Sequence, residues 1–238
     1  MVALGDSLTA AFGSCLAPTA CPRNSWATGD GGQVNSHYRR ILKANPAISD
    51  RQANLAKSGA KVGDLRGQAE KAVQRPADYI TILIGANDAC RDEMTAPTAF
   101  RAELDSALAV LRSSVPNSQL LMVGIPNVYR VWEIGHTNKM ALSVWRNRIC
   151  PNLLANAESA APADDARRQA FRDRIASYNV QIKNACADYG SRCRYNDIAG
   201  FAFEVNLLSA VDFFHPNAAG QNALADLTYP GTFDVVKA

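Results

Sequence analysis

Two strings at opposite ends of the chain carry groups that could make and break an acyl bond. Gly5-Asp6-Ser7-Leu8 sets a serine straight after the apolar run Val2-Ala3-Leu4, and Asp212-Phe213-Phe214-His215-Pro216 sets a carboxylate three residues before an imidazole. A serine hydroxyl is a weak nucleophile until a base takes its proton, and that base is most often a histidine oriented by a third group. The sequence holds three histidines, so the choice of base is narrow. His37 lies in a helical pattern beside Tyr38 and Arg39 and reads as structural, while His136 follows Gly135 in a polar stretch and is given no role. His215 precedes Pro216, which biases it to extended backbone and therefore to a loop. Asp212, or in its place a backbone carbonyl, would orient the imidazole. Ser7 reads as nucleophile, His215 as base, and the chain as a serine esterase. The Asp6 carboxylate is expected to accept backbone N–H groups and hold the turn, not to act as an acid. A helix opening behind Ser7 would add its dipole to the stabilisation of negative charge.

Between the two ends lie Asn54-Leu55-Ala56-Lys57-Ser58-Gly59-Ala60 and Ile84-Gly85-Ala86-Asn87-Asp88. An amide side chain directly after an apolar run suits an oxyanion donor, although Asn is also a common turn residue. Gly59 could be a tight-turn glycine, a backbone donor, or both. Taken together and in this order, the four strings resemble the conserved blocks of the GDSL family, the SGNH hydrolases. The resemblance implies a Ser7 nucleophile, an Asp212-x-x-His215 base motif and an oxyanion hole made by the Ser7 N–H, the Gly59 N–H and the Asn87 amide. Three further stretches, Asn24 to Gly32, Asn35 to Tyr38 and Ile149-Cys150-Pro151, resemble a secreted actinobacterial phospholipase A1 and phospholipase B-like branch. The Gly-x-Ser-x-Gly elbow of α/β-hydrolases occurs nowhere in the chain, which argues against that fold.

The elements that must position these groups follow from periodicity. Val2–Leu4, Gln52–Ala56, Tyr79–Ile84 and Leu120–Ile125 are short apolar runs of the kind that form buried parallel strands, with Cys193–Tyr195 as a fifth. Helical spacing marks Val62–Val73, Ala99–Leu111, Arg167–Ala187 and Ala218–Leu227. Pro97 suits a first helical turn and Pro116 lies beyond the end of that helix. Strand–helix alternation predicts an α/β fold: a three-layer α/β/α sandwich around a parallel sheet of about five strands, flavodoxin-like in the manner of SGNH hydrolases. Ligands of such sheets bind beyond the carboxyl ends of strands, where Ser7, Gly59 and Asn87 each fall. The stretch 127–166, with Trp132 and Trp145 among polar residues, reads either as a pocket-forming insertion or as an ordinary crossover whose tryptophans pack on the sheet.

At 238 residues, 47% hydrophobic and without repeats, the chain is read as one domain over 1–238. A net charge of +3 without Lys/Arg runs gives no case for nucleic acid, and no apolar stretch is long enough to span a bilayer. Six cysteines without zinc-type spacing suggest disulfides in an exported protein. The short first and third loops favour the sequential set Cys15–Cys21, Cys90–Cys150 and Cys186–Cys193, though sequence alone does not choose among the many pairings six cysteines allow. Met1 falls inside the first strand, so any leader would have been removed upstream of it. No cofactor or metal is called for, and the chain is expected to be a monomer. The expected substrate is a lipid ester, with transient contact to a lipid surface and Arg130, Arg146 and Arg148 available to a phosphate head group. An acetyl esterase acting on polysaccharide is the alternative. A non-catalytic binding module is a third reading, but it would have a broken nucleophile–base set.

Overall fold

The computed structural model describes residues 1–75, 77–91 and 93–229. In chain order the elements are β1 (Val2–Gly5), α1 (His37–Ala44), β2 (Ala53–Asn54), α2 (Leu65–Ala72), β3 (Tyr79–Leu83), α3 (Ala86–Cys90) and α4 (Pro97–Ser114). They continue with β4 (Gln119–Val123), α5 (Tyr129–Gly135), α6 (Lys139–Trp145), α7 (Pro151–Leu154), α8 (Pro162–Tyr189), β5 (Cys193–Asn196) and α9 (Ala218–Thr228). The five strands form one parallel sheet in the order β2-β1-β3-β4-β5, flanked by helices. β1 and β3 are buried at every position, which is why their sequences are continuous apolar runs without alternation. Two groups of helices cover the sheet. α2, α4 and α8 pack side by side, with Phe100 stacked on Tyr178 at 4.2 Å, while α1 and α9 are joined through His37. His37 is fully buried between the Tyr79 hydroxyl (3.0 Å) and Thr228 Oγ1 (2.9 Å), and burial pushes its pKa down to about 3.

Several boundaries differ from the periodicity reading. β2 is two residues long, yet the chain after it stays bonded to β1, through Leu55 N–H to Ala3 C=O (2.8 Å) and Lys57 N–H to Gly5 C=O (3.1 Å). The helix expected over Val62–Val73 begins as a 3-10 turn, Val62–Asp64, before α2. α8 starts at Pro162, so the Ala/Pro/Asp-rich end of the 127–166 stretch is already helical. A proline at a helix's first turn costs nothing because its missing N–H would have had no partner there. The rest of that stretch folds into α5, α6 and α7. The helix expected after Ser7 does not form. Residues 7–15 wind as consecutive turns, with Ala10 N–H to Asp6 C=O at 2.9 Å and Phe12 N–H to Ser7 C=O at 3.0 Å, and left-handed Ala11 (φ 53) and Gly13 (φ 75) interrupt any helical run. A helix dipole therefore contributes nothing at Ser7.

The three disulfides are Cys15–Cys21, Cys90–Cys150 and Cys186–Cys193, the sequential set, and no described cysteine is free. No helix among the described residues is long and apolar enough to cross a membrane.

Candidate active site

The strand order β2-β1-β3 sets three chain segments side by side at the carboxyl edge of the sheet, with Ser7 in the middle. Gly5 ends β1 at φ 145, and a Cβ there would lie 2.1 Å from the Leu83 carbonyl oxygen, so only glycine lets the turn that carries Ser7 press against β3. Asp6 N–H donates to that same carbonyl at 3.3 Å. Gln68 from α2 accepts from Gly5 N–H (2.7 Å) and donates to Gly5 C=O (2.9 Å), fixing the strand end from below. Asp6 Oδ1 accepts Leu8 N–H at 2.9 Å, as the turn-holding reading requires. The Asp6 carboxyl is fully buried and burial raises its pKa to about 7, with the Leu8 N–H pulling the other way.

The loop carrying His215 is built almost entirely from its own residues. Asp212 Oδ1 accepts the backbone N–H groups of Phe214 and His215, both at 3.0 Å, while Asp212 Oδ2 holds His215 Nδ1 at 2.5 Å. Phe213 takes a left-handed φ of 53 to make the bend, and Ser209 N–H donates to His215 C=O at 2.8 Å across the loop. Tertiary contacts then aim the loop. Trp145 Nε1 donates to Asp212 C=O (3.1 Å), Ser209 Oγ donates to Gly13 C=O (2.8 Å), and Gln221 from α9 donates to Leu8 C=O (2.9 Å). The result is His215 Nε2 at 2.7 Å from Ser7 Oγ. With Nδ1–H donated to Asp212, Nε2 presents a lone pair to the serine proton, the tautomer a general base needs. Phe12 packs on the imidazole at 4.9 Å.

Gly59 and Asn87 line the same groove as Ser7 and His215. Gly59 adopts φ 82 and a Cβ on it would meet nothing within 4 Å, so a side chain there would be strained and would project into open space. Asn87 Nδ2 donates one hydrogen to Ala60 C=O at 3.0 Å, which leaves its second N–H to point elsewhere. Neither the Ser7 nor the Gly59 N–H donates to a protein acceptor among the described residues. Asp88, the neighbour of Asn87, accepts Val62 N–H (2.9 Å) and the Thr95 hydroxyl (2.9 Å), tying α3 to the segment after Gly59. Burial pushes the Asp88 carboxyl above its ordinary range, and these two donors pull it back. Cys90 anchors the other end of α3 to Cys150.

Two clefts meet at Ser7. One is a groove of about 440 Å³ whose wall includes Phe12, Pro18, Gly59, Arg91, Val144, Arg148, Ile149 and Val211. The other is a slot of about 20 Å³ between Leu8, Ala86, Val128, Val131, Phe203 and Phe214. The 127–166 stretch does wall the groove, but through Val144, Arg148 and Ile149. Its tryptophans lie elsewhere: Trp145 is buried beneath the His215 loop, and Trp132 stacks on His136 and takes Arg168 over its ring. Arg130 is engaged by Glu133 and Glu204. Arg146 and Arg148 line a separate cavity of about 750 Å³, of mixed polar and apolar lining, that adjoins the groove at Arg148. The positioning roles of Gln68, Gln221 and Trp145 had no sequence signal, since each partner lies at least 63 residues away. Asp88 stood inside a noted motif without a role. No cluster of three His, Cys, Asp or Glu among the described residues could hold a metal ion.

The family model for GDSL-like lipases and acylhydrolases matches residues 1–228. No curated protein matches by sequence. Among solved structures, an extracellular lipase of Streptomyces rimosus superposes with a TM-score of 0.55 at 19% identity, over 95% of this chain and 98% of that one. Phospholipase A1 of Streptomyces albidoflavus gives 0.54 at 20% identity, over 95% and 98%. A family 3 carbohydrate esterase of Clostridium thermocellum gives 0.53 at 15% identity, over 99% and 96%. At these identities the likeness is one of fold.

Proposed function

The chain belongs to the GDSL-like lipase/acylhydrolase family, and on that premise we propose that it is an exported lipolytic carboxylic ester hydrolase, of lipase or phospholipase A1 type, working through a Ser7 acyl-enzyme. The observation that carries this reading is the unbroken line from Asp212 through His215 to Ser7, at 2.5 and 2.7 Å, opening onto a groove with a largely apolar wall. His215 Nε2 takes the Ser7 proton as Oγ attacks the ester carbonyl. The oxyanion is received by the Ser7 and Gly59 N–H groups and the second Asn87 N–H. Collapse expels the alcohol, which leaves with the proton held on His215. Water then attacks the acyl-enzyme, gives its proton to Nε2, and the proton returns to Ser7 Oγ as the acid departs. Asp212 keeps Nδ1–H in place and balances the imidazolium formed in each half-reaction. Three disulfides suit an oxidising compartment outside the cell.

A second reading, an acetyl esterase acting on carbohydrate, draws support from the slot of about 20 Å³, room for little more than one water-sized group. The two readings divide on chain length. An apolar groove is worth about 0.8 kcal/mol per buried CH₂, so octanoate should exceed acetate by at least tenfold in kcat/KM across a nitrophenyl ester series. Fatty acid should also be released from dispersed phosphatidylcholine. Acetate preferred, with no fatty acid released, replaces the lipolytic reading by the acetyl-esterase one.

A further inference from the structure

The two most exposed large apolar side chains among the described residues, Leu16 at 79% and Met140 at 64%, lie on two unrelated segments that each contribute a residue to the wall of the groove. Leu16 is two residues from Pro18, and Met140 is one helical turn before Val144; Pro18 and Val144 both line the groove. A third exposed residue, Val205, is two positions from Phe203, which lines the slot that also reaches Ser7.

Leu16 is held in water against its own preferences. It sits at φ 60, a region unfavourable for a branched side chain, in a loop closed by the Cys15–Cys21 disulfide. Leu16 N–H to Gly13 C=O (3.2 Å), Gly13 N–H to Thr19 C=O (3.0 Å) and Cys21 N–H to Ala10 C=O (3.0 Å) brace the same loop. The leucine therefore cannot fold back onto the protein without undoing covalent and hydrogen-bonded restraints. The exposed charges that line the groove are cationic, and exposed Glu204 beside Val205 is paired with Arg130. Exposed Arg91 and Arg148 line the groove and exposed Lys139 precedes Met140, while the groove's one carboxylate, Asp212, is buried and bound to His215.

We propose that Leu16, Met140 and Val205 are the points by which this enzyme seats on a lipid surface of negative charge, delivering an ester to Ser7 from the lipid phase. Apolar tips on unrelated segments suit a fluid interface they can enter separately, and the cations beside them favour anionic lipid. The inference rests on the lipolytic reading above and adds the surface that serves it.

The test separates the two. Wild type and a Leu16→Ser/Met140→Ser double variant are sedimented with vesicles of phosphatidylcholine alone and of phosphatidylcholine mixed with phosphatidylglycerol, and both are assayed on dissolved nitrophenyl acetate. Wild type should sediment more strongly with the mixed vesicles. The double variant should bind them at least about tenfold more weakly and release correspondingly less fatty acid, while hydrolysing the dissolved ester at the wild-type rate. Equal vesicle binding by both proteins, or no binding by wild type, overturns the proposal. A wild-type dimer in sedimentation velocity that the same substitutions make monomeric also overturns it, reassigning the patch to a second copy of the chain. Because vesicle binding is read without turnover, a wild type that binds but does not hydrolyse counts against the lipolytic reading alone.

Discussion

The two halves of the candidate site are built on opposite plans. The base arm, residues 209–216, closes on itself: one carboxylate caps two N–H groups of its own loop and grips the imidazole three residues on. The oxyanion arm has no such unit. Ser7, Gly59 and Asn87 come from the ends of three strands, and their spacing depends on Gln68 beneath Gly5, Lys57 on Gly5, Ala60 on Asn87, Asp88 on Val62, and the Cys90–Cys150 link. On the proposed roles, the base is therefore preorganised by local chain geometry and the charge-stabilising side by the sheet. Substitutions in the first arm should act on proton transfer, and substitutions around the second should act on the transition-state charge and on the fold together.

The largest expected effect removes the junction of the two arms. Ser7→Ala or His215→Ala should lower kcat by about 10³-fold or more while the protein stays folded, checked by nitrophenyl ester turnover beside circular dichroism. A folded Ser7→Ala protein with near wild-type turnover would remove the serine from the mechanism. Next, Asn87→Ala should cost about 10²- to 10³-fold in kcat with KM little changed, because the amide is needed where charge develops and not where substrate rests. A loss carried by KM would mean that Asn87 binds the ground state, and the contrast between the arms would fail.

Gln68→Ala sharpens the comparison away from the chemistry. It leaves Gly5 N–H unpaired in the core, which should cost about 2–3 kcal/mol in urea unfolding with a smaller fall in kcat than Asn87→Ala gives. Unchanged stability would show that the strand end does not depend on α2.

The most conditional effect concerns pH, since it shows only as a difference between two pH values. Buried Asp6 has its pKa raised to about 7, so between about pH 4 and 7 the folded chain keeps a proton that the unfolded chain releases. Its contribution to stability therefore grows as pH falls through that range. His37, lowered to about 3, acts in the opposite sense: its contribution is complete above about pH 6.5 and is lost on acidification, as the unfolded chain takes up a proton the folded one refuses. In the wild type the two largely offset. Asp6→Asn removes the first term, so between about pH 7 and pH 4.5 the variant should lose roughly 3 kcal/mol relative to the wild type, measured by urea titration at both values. Parallel curves for the two proteins would place the Asp6 proton elsewhere.

Legibility in the sequence followed the same division. The Asp212-to-His215 spacing could be read because both partners lie within one loop, and the buried strands could be read because strands covered on both faces leave continuous apolar runs. The helix wrongly expected behind Ser7 failed on Ala11, whose left-handed conformation no propensity announces and which comes with the turns leading into the Cys15–Cys21 loop. The tryptophans of the 127–166 stretch were legible as apolar mass but not as to direction. Trp145 spends its surface and its N–H under the His215 loop, which leaves Val144 and Ile149 to meet the groove.

Residue types and spacing, with the family resemblance, pointed to Ser7 as nucleophile, to His215 as base with Asp212 or a backbone carbonyl to orient it, to the parallel α/β class and to a pairing of cysteines to expect, because each rests on local periodicity or on groups with few competitors. Only the tertiary structure decided that His215 Nε2 reaches Ser7 Oγ, that Gly5 and Gln68 set the height of Ser7, and that one cleft beside it is wide and the other nearly closed. Those outcomes depend on distances between segments tens to hundreds of residues apart, and such distances are set by how the strands pair and how the helices pack, which no short window of sequence contains.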